Sequence, residues 1–274
     1  MEILLNYPLF SDSLEACLDS VLAQINSKHQ ARPLTQSTPH SLKPLNFGIC
    51  QYAACLNPHS YCEAQKDPDF QKALLGARWL LPDGSGMVLA SRILGGSIRK
   101  RLTGSDLFTG ICQKINVLGG YRVFLLGSSQ ETLERICTRM ATEYPQIQVA
   151  GTYSPPFKAQ FSHAEMDAMV NAVNHVAPDI LWVAMTAPKQ EKWLLEAQKR
   201  LNVTFAGAIG AVFDFYSGSV VRPSLFFQNL GLEWLPRLLQ EPKRLYRRMA
   251  VSAPIFLGAI VVQWWRKLFP KLLP

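Results

Sequence analysis

The feature that most constrains the fold of this 274-residue chain is an alternation of short apolar runs with amphipathic segments from Phe47 onward. Short apolar runs predict strands buried on both faces, and the longer segments between them carry apolar residues at helical spacing. Alternation of this kind is typical of βαβ units. We therefore predict an α/β fold, a Rossmann-like, mainly parallel sheet with flanking helices. The predicted strands are 47–54, 78–81, 121–127, 147–151, 179–185 and 203–208, and the predicted helices are 12–26, 62–75, 85–95, 105–117, 131–143, 163–176, 189–201 and 224–230.

The composition describes a globular protein with a real core, because 48% of the residues are hydrophobic. The six cysteines form no CxxC pair and have no histidine partners at zinc spacing, so we expect reduced thiols in a cytoplasmic protein. The N-terminal segment MEILLNYPLFSDSLEA lacks a basic region, so we do not expect a secretory signal peptide.

The positive charge is concentrated at the C-terminal end of the chain. From Arg222 onward there are nine Lys and Arg residues against Glu233 and Glu241, so this last fifth holds nearly all of the net charge of +8. Such asymmetry indicates a polyanionic partner such as nucleic acid, phospholipid or pyrophosphate.

The C-terminal segment also contains a long uncharged run. Residues 250–265 carry no charge and end in two tryptophans, followed by Arg266 and Lys267. The run is shorter than the ~20 residues needed to cross a bilayer, and it resembles an interfacial membrane anchor. A helix docked on the core and a dimer contact are the alternatives. We therefore divide the chain into an α/β core, 1–221, and a basic amphipathic helical C-terminal appendage, 222–274.

Asp83 is the first candidate functional residue, because it lies between Pro82 and Gly84 directly after a predicted strand. Pro82 fixes its own φ and Gly84 permits a sharp turn, so the strand is expected to end here. Ligands of α/β proteins bind in the crevice outside the carboxyl ends of the strands, where Asp83 would then lie. An ordinary Asp-Gly turn is the alternative.

A turn after the third predicted strand offers a second candidate site. Gly127 ends that strand and is followed by Ser128, Ser129 and a predicted helix. Backbone N–H groups and a helix dipole at such a turn can bind a phosphate. A plain turn between a strand and a helix explains the pattern equally well.

Two more loops place polar residues beside the same crevice. Gln190 and Glu191 stand at the N-terminus of a predicted helix, where the alternative is a capping box of Thr186 with Lys189 and Gln190. Asp214, in the loop after the last predicted strand, could bind ligand hydroxyls or hold its loop together.

Four arginines of the basic segment recur at helical spacing. Arg237, Arg244 and Arg248 would share a face, with Arg247 close by, although Pro242 makes one continuous helix doubtful. Convergent arginines suit bidentate binding of phosphate oxygens. A solvated or lipid-facing basic surface is the alternative.

Taken together and in this order, the segments LNPHSY, PDGSG, RLTGSD, VFLLGS, APKQE, GAIGAVFDFYSG and GLEWLPRLLQEPKRLYRR resemble the WecG/TagA/CpsF family of bacterial glycosyltransferases (glycosyltransferase family 26). The resemblance runs from about Asn57 to Arg248. It implies an inverting transfer of a sugar, typically of the N-acetylmannosamine type, from a UDP-sugar to a sugar linked to undecaprenyl pyrophosphate. Such an enzyme would be peripheral, at the cytoplasmic face of the plasma membrane.

The resemblance also assigns roles to residues of this chain. It implies that Asp83 is the catalytic base, that Gln190 contacts the sugar or nucleotide, and that the tail arginines clamp the pyrophosphate. The candidate catalytic residues are thus Asp83, Arg237, Arg244 and Arg247. The candidate substrate-binding residues are Cys55, Asn57, Arg101, Gly127, Gln190, Glu191, Gly210, Asp214 and Arg248.

One position departs from the family pattern. Cys55 stands where the family usually has threonine, and a thiol is a poorer hydrogen-bond donor than a hydroxyl. No DxD motif is present, and we expect neither a catalytic metal nor a cofactor.

Two other function classes compete with an enzyme. A non-catalytic membrane-docking module that keeps the nucleotide-sugar pocket is the first. A nucleic-acid binder is the second, and we expect no nucleic-acid partner, because the basic residues adjoin an uncharged run rather than interleave with aromatic residues. The sequence leaves the donor sugar, the acceptor sugar and a homo-oligomeric state open.

Overall fold

A computed structural model describes residues 1–29, 48–220 and 248–269 of the chain. It begins with an antiparallel hairpin of strands β1 (Glu2–Leu4) and β2 (Tyr7–Leu9). A six-stranded, all-parallel sheet with the strand order β4-β3-β8-β7-β5-β6 lies at the centre. Its strands are β3 (Gln51–Leu56), β4 (Trp79–Pro82), β5 (Arg122–Gly127), β6 (Gln148–Tyr153), β7 (Ile180–Ala184) and β8 (Phe205–Ala208). The predicted Rossmann-like α/β class is confirmed.

Helices pack on both faces of this sheet. Those whose buried residues share a core with the hairpin are α2 (Pro58–Ala64), α3 (Pro68–Leu75), α4 (Ser85–Ile93), α7 (His163–Val176), α8 (Lys189–Ala197) and α10 (Ala253–Leu268). Those on the other face are α1 (Leu14–His29), α5 (Gly104–Leu118), α6 (Gln130–Glu143) and α9 (Val212–Tyr216).

Strands β7 and β8 are apolar and β5 nearly so, because both faces of these inner strands are covered. In β5, Phe124 and Leu126 point into one core while Val123 and Leu125 point into the other. Successive side chains of a strand project to opposite faces, so a continuous apolar run fills two cores at once. The result is a three-layer arrangement with the sheet in the middle.

The observed elements differ from the predicted ones in several places. The predicted helix 62–75 is two helices, because the Asp67 side chain accepts a hydrogen bond from Phe70 N and Pro68 starts α3. Helix α1 starts at Leu14 rather than at residue 12, and Ser13 Oγ accepts a hydrogen bond from Ala16 N. The β1–β2 hairpin was not predicted. The predicted helix 224–230 lies outside the described residues.

Helix α10 has one face on the core and one face in solvent. Phe256 and Ile260 are buried, and the ring of Phe256 meets that of Tyr61 edge-on at 5.6 Å. Gln263 Oε1 accepts a hydrogen bond from Leu5 N in the hairpin, and Lys267 Nζ donates to Leu94 O. The alternative of a helix docked on the core is thus confirmed, while the membrane anchor and the dimer contact stay predictions for the exposed side. None of the described helices has the length and hydropathy of a membrane span.

Candidate active site

A cleft of about 500 Å³ opens at the carboxyl ends of the strands. Loops that follow β3, β4, β5, β7 and β8 all contribute to its walls. The sequence-predicted residues that line it are Cys55, Asn57, Asp83, Gln190, Glu191, Gly210 and Asp214. The crevice is the place where parallel α/β sheets bind ligands.

Asp83 is held in the cleft by the backbone around it. Strand β4 ends at Pro82, and Asp83 N donates to Leu56 O of the adjacent strand at 2.9 Å. Gly84, at φ +93°, turns the chain into α4, a conformation that residues with a Cβ rarely adopt. The carboxyl group is therefore placed at the end of β4 with its main chain fixed to β3.

Asn57 and Cys55 form the neighbouring wall at the end of β3. The Asn57 side chain caps α2 by accepting from Ser60 N at 2.9 Å, so it has a structural role beside its place in the cleft. Burial, with the carboxyl groups of Asp83 and Glu191 nearby, raises the pKa of Cys55 well above its ordinary value. The Cys55 thiol is therefore neutral at pH 7.

Gln190 joins two loops of the cleft. Its Oε1 accepts from Met185 N at 3.3 Å and from Gly210 N at 3.0 Å, while Nε2 donates to Glu191 Oε1 at 2.8 Å. The capping box considered for Thr186 is not formed, because Pro188 is the N-cap of α8 and no side chain caps it. The Gln190 amide is instead committed to the fold of the cleft.

Glu191 is almost completely buried beside Gln190, with 2% of its surface exposed. Burial raises its pKa to about 7, against the opposing effect of the hydrogen bond from Gln190. Its Oε2 atom has no hydrogen-bond partner among the described residues.

The loops after β5 and β8 meet through a side-chain contact. Ser128 Oγ donates to Asp214 Oδ1 at 3.4 Å, and Ser128 N donates to Ala184 O at 3.1 Å. Ser129 caps α6 by accepting from Thr132 N. Part of the N–H capacity predicted for phosphate binding is thus used within the turn.

Some predicted site residues are not brought to the cleft wall. Gly127 lies behind Ser128, and Arg101 is half-buried outside the lining. Arg237, Arg244 and Arg247 lie outside the described residues. Arg248 begins a π-helical turn, Arg248–Ser252, ahead of α10, and only its backbone is described.

Sequence reasoning missed a histidine of the cleft. His59 lies in the first turn of α2, and its Nδ1 is 2.9 Å from Oγ of the buried Ser252. This contact connects the cleft wall to the turn ahead of α10. A histidine two residues after the Asn57 cap is the only local signal for it.

An aromatic edge of the cleft was also missed. Phe157 and Phe161 line it from the loop between β6 and α7, and Lys189 Nζ lies 5.1 and 5.9 Å from their ring centres. Phe157 is 94% exposed, so the ring borders open solvent. A cation over two rings holds this edge in place.

No group of three or more His, Cys, Asp or Glu side chains arranged to hold a metal ion was found in the described ranges. The polar groups of the cleft are carboxyl, amide, imidazole and hydroxyl groups together with one lysine. Such a set can move a proton and bind hydroxyl and phosphate groups.

Comparison with known proteins gives consistent matches. The model of the glycosyl transferase WecG/TagA/CpsF family matches residues 35–269. N-acetylglucosaminyldiphosphoundecaprenol N-acetyl-beta-D-mannosaminyltransferase of Bacillus spizizenii is 32% identical over 205 residues, which cover 75% of this chain and 76% of the relative. Proteins of the same name from Bacillus subtilis (strain 168) and Staphylococcus aureus (strain MW2) are 29% and 28% identical, over 72% and 74% of this chain and 74% and 77% of their own.

Proposed function

This chain belongs to the WecG/TagA/CpsF family of glycosyltransferases, and we propose that it transfers a sugar from a UDP-sugar to an acceptor linked to undecaprenyl pyrophosphate. The donor sugar is of the N-acetylmannosamine type or a related hexose, and the product is an intermediate of surface polysaccharide synthesis. The names of the relatives specify an N-acetylmannosaminyl group and an N-acetylglucosaminyl diphosphoundecaprenol acceptor.

The observation that carries the proposal is the position of Asp83. It stands in the cleft at the end of β4, with its backbone bonded to β3, among polar groups from four other strand-helix loops. A carboxylate so placed can accept the proton of an acceptor hydroxyl as that oxygen attacks the anomeric carbon of the donor. The bond from the anomeric carbon to the diphosphate breaks, its electron pair leaves with UDP, and the configuration inverts.

Asp83 is a weak base when ionised, so positioning supplies much of the rate enhancement. The loops after β5, β7 and β8 would hold the donor, with Asp214 and Gly210 at hydrogen-bonding positions along the cleft. The Lys189 ammonium at the start of α8 adds a positive charge beside the site.

The departing UDP needs a balancing positive charge as it leaves. The family resemblance assigns this role to Arg237, Arg244 and Arg247, with Arg248 next to them, in the basic segment that precedes α10. Arginine binds diphosphate oxygens in a bidentate manner. The contact of His59 with Ser252 supports this placement, because it ties the end of that segment to the cleft wall.

We further propose that the enzyme works at a membrane surface, on its cytoplasmic face. The outer side of α10 presents apolar side chains to solvent, namely Ile255, Leu257, Val261, Val262, Trp264, Trp265 and Leu268. Arg266 follows the two tryptophans, so a cation would stand at the level of lipid phosphates. A lipid-linked acceptor would then meet the cleft without leaving its bilayer.

The test is a transfer assay with a panel of UDP-sugars and a short-chain polyprenyl-pyrophosphate-linked N-acetylglucosamine, comparing the parent with Asp83→Asn. Loss of the base should lower the rate by about 100-fold or more. Affinity for UDP, measured by calorimetry, should stay within about threefold, because the change leaves shape and size intact.

Asp69→Asn is the matched control, since Asp69 is an exposed carboxylate on α3 outside the cleft. It should transfer sugar at the parent rate. Parent-level transfer by Asp83→Asn would exclude this residue as the base. A parent that binds no UDP would exclude the transferase and leave the membrane-docking module, without nucleotide sugar, as the better description.

A further inference from the structure

Gln190 and Glu191 form a buried polar pair between two loops of the cleft. Both side chains are at least 96% buried, as their exposed fractions are 4% and 2%. The Gln190 carbonyl oxygen receives N–H groups from Met185, after β7, and from Gly210, after β8. This single amide therefore sets how far apart the two loops stand.

The amide can serve this purpose in one orientation only. A side-chain amide has an acceptor end and a donor end, and a half-turn about its last bond exchanges them. After such a turn the NH₂ group would face the two backbone N–H donors, and four donors would meet with no acceptor. Glu191 Oε1 removes the ambiguity, because it accepts from Gln190 Nε2 at 2.8 Å and cannot pair with the oxygen.

We propose that Glu191 is a positioning residue whose buried carboxyl group fixes the Gln190 amide and, through it, the two loops that hold the nucleotide sugar. The inference rests on the proposed function for the identity of the ligand. It differs from direct substrate binding by Glu191, the role that the sequence suggested, because Oε1 is occupied by Gln190 Nε2 and Oε2 is buried. Glu191 thus affects ligand binding through the Gln190 amide that it orients.

The surroundings of the second carboxyl oxygen of Glu191 indicate whether the carboxyl group that holds Gln190 is protonated or ionised. Oε2 is buried without a partner among the described residues, and a buried anion with an unpaired oxygen is costly. The neutral acid keeps Oε1 as an acceptor and places the proton on Oε2. The raised pKa, about 7, agrees with a carboxyl group that is largely neutral in mildly acidic solution.

The titratable groups around Glu191 do not supply a compensating cation. Tyr52 and Cys55 face it from β3, and burial raises the pKa of both side chains, so both are neutral at pH 7. Asp83, beyond Cys55, is a further acid. Among the described charges on or next to α8, Lys189 Nζ donates to Lys158 O, Lys192 is paired with Asp67, and Arg200 is paired with Asp167.

The raised pKa of Glu191 predicts that the stability of the protein decreases as the pH rises. The folded pKa lies above the ordinary value of 4.5, so the native state binds the proton more tightly than the unfolded chain. The contribution of Glu191 to stability is complete below pH 4.5 and is lost as the pH rises through 7. Glu191→Gln, a neutral side chain of the same shape, should lack this loss.

The experiment compares the full-length parent, Glu191→Gln and Glu191→Ala, with Glu196→Gln as control, because Glu196 is exposed on the same helix. Thermal unfolding is followed from pH 5.5 to 8, and UDP affinity is measured by calorimetry at pH 6.5. From pH 5.5 to pH 8 the melting temperature of the parent should decrease by about 3 °C or more in excess of the decrease seen for Glu191→Gln. The control should follow the parent.

The UDP affinities of the variants show whether Glu191 positions the Gln190 amide or only fills space in the core. Glu191→Gln should bind UDP within about threefold of the parent, whereas Glu191→Ala, which removes the acceptor of Gln190 Nε2, should bind about tenfold more weakly. In transfer assays the same loss should appear in KM for the donor more than in kcat. Parent-like UDP affinity in Glu191→Ala, or an equal loss in Glu191→Gln, would overturn the inference.

The stability measurements do not depend on sugar transfer. If the parent transferred no sugar, the proposed function would fail while the melting curves still decided the state of Glu191. If transfer were normal and the parent and Glu191→Gln had parallel melting profiles, the neutral-acid inference would fail and the proposed function would stand.

Discussion

At the scale of single residues, Gly127 shows how tightly the backbone of the cleft is built. It adopts φ +116°, and a Cβ added there would collide with the carbonyl group of Ala184 on the neighbouring strand. The close approach lets Ser128 N bond to Ala184 O and turns Ser128 toward Asp214. Gly127 thus shapes the cleft without lining it.

We expect Gly127→Ala to destabilise the protein by roughly 2–5 kcal/mol, because backbone strain adds to a steric clash. Urea unfolding would measure the change. Gly84→Ala is the matched control, since Gly84 also has a positive φ but an added Cβ there would touch nothing within 4 Å. Strain alone should cost about 1–2 kcal/mol at that position. Equal losses in the two variants would argue against the clash.

The position of some candidate residues could be predicted from the sequence, whereas the hydrogen-bond partners of others could not. Asp83 was predicted from Pro82 and Gly84, because the end of a strand is a local property of the chain. The partners of Gln190 were not predictable, since Gly210 N reaches it from another loop. His59 was passed over because its partner, Ser252, is 193 residues away.

At the scale of elements, α10 has one side packed against the core and the other side exposed to solvent. Phe256 and Ile260 repeat at a spacing of four and seat the helix against α2 and α4. The opposite side carries the exposed apolar series. A single helix can therefore attach to the core and to a second apolar surface.

Phe256→Ala should loosen the seat of α10 while leaving the sheet intact. Removing a buried phenylalanine costs about 3–5 kcal/mol, and most of that loss should fall on the helix that carries it. Hydrogen exchange of α10 amides would show faster exchange in the variant. Ile255→Ala, on the exposed side of the same helix, should exchange like the parent. Unchanged protection in Phe256→Ala would mean that α10 is held chiefly by its polar contacts to Leu5 and Leu94.

At the scale of the whole molecule, charge and apolar surface coincide at the C-terminal end. Nearly all of the net charge of +8 arises after Arg222, and the exposed side of α10 belongs to the same segment. At the proposed membrane surface, anionic lipid would attract such cations over about a Debye length, and the apolar side chains would enter the interface. The division into a core, 1–221, and an appendage, 222–274, stays a prediction, because the connection between them lies outside the described residues.

The double variant Trp264→Ser/Trp265→Ser should bind vesicles of anionic phospholipid about tenfold more weakly than the parent, because two interfacial aromatic anchors are lost. Co-sedimentation would measure the binding. Val117→Ser/Leu118→Ser is the control, since both side chains are exposed at the end of α5, which packs on the other face of the sheet. Added salt should weaken parent binding. Parent-level binding by the tryptophan variant would refute membrane attachment through α10.

The sequence by itself determined the features that depend on neighbours along the chain. Periodicity indicated the parallel sheet, Pro82 and Gly84 marked the end of β4, and the ordered motifs indicated the family. Tertiary structure alone decided the others: the amide bridge of Gln190, the burial of Glu191, and the two faces of α10. The physical reason is that hydrogen-bond partners and desolvation are set by atoms far apart in the chain, which no local pattern encodes.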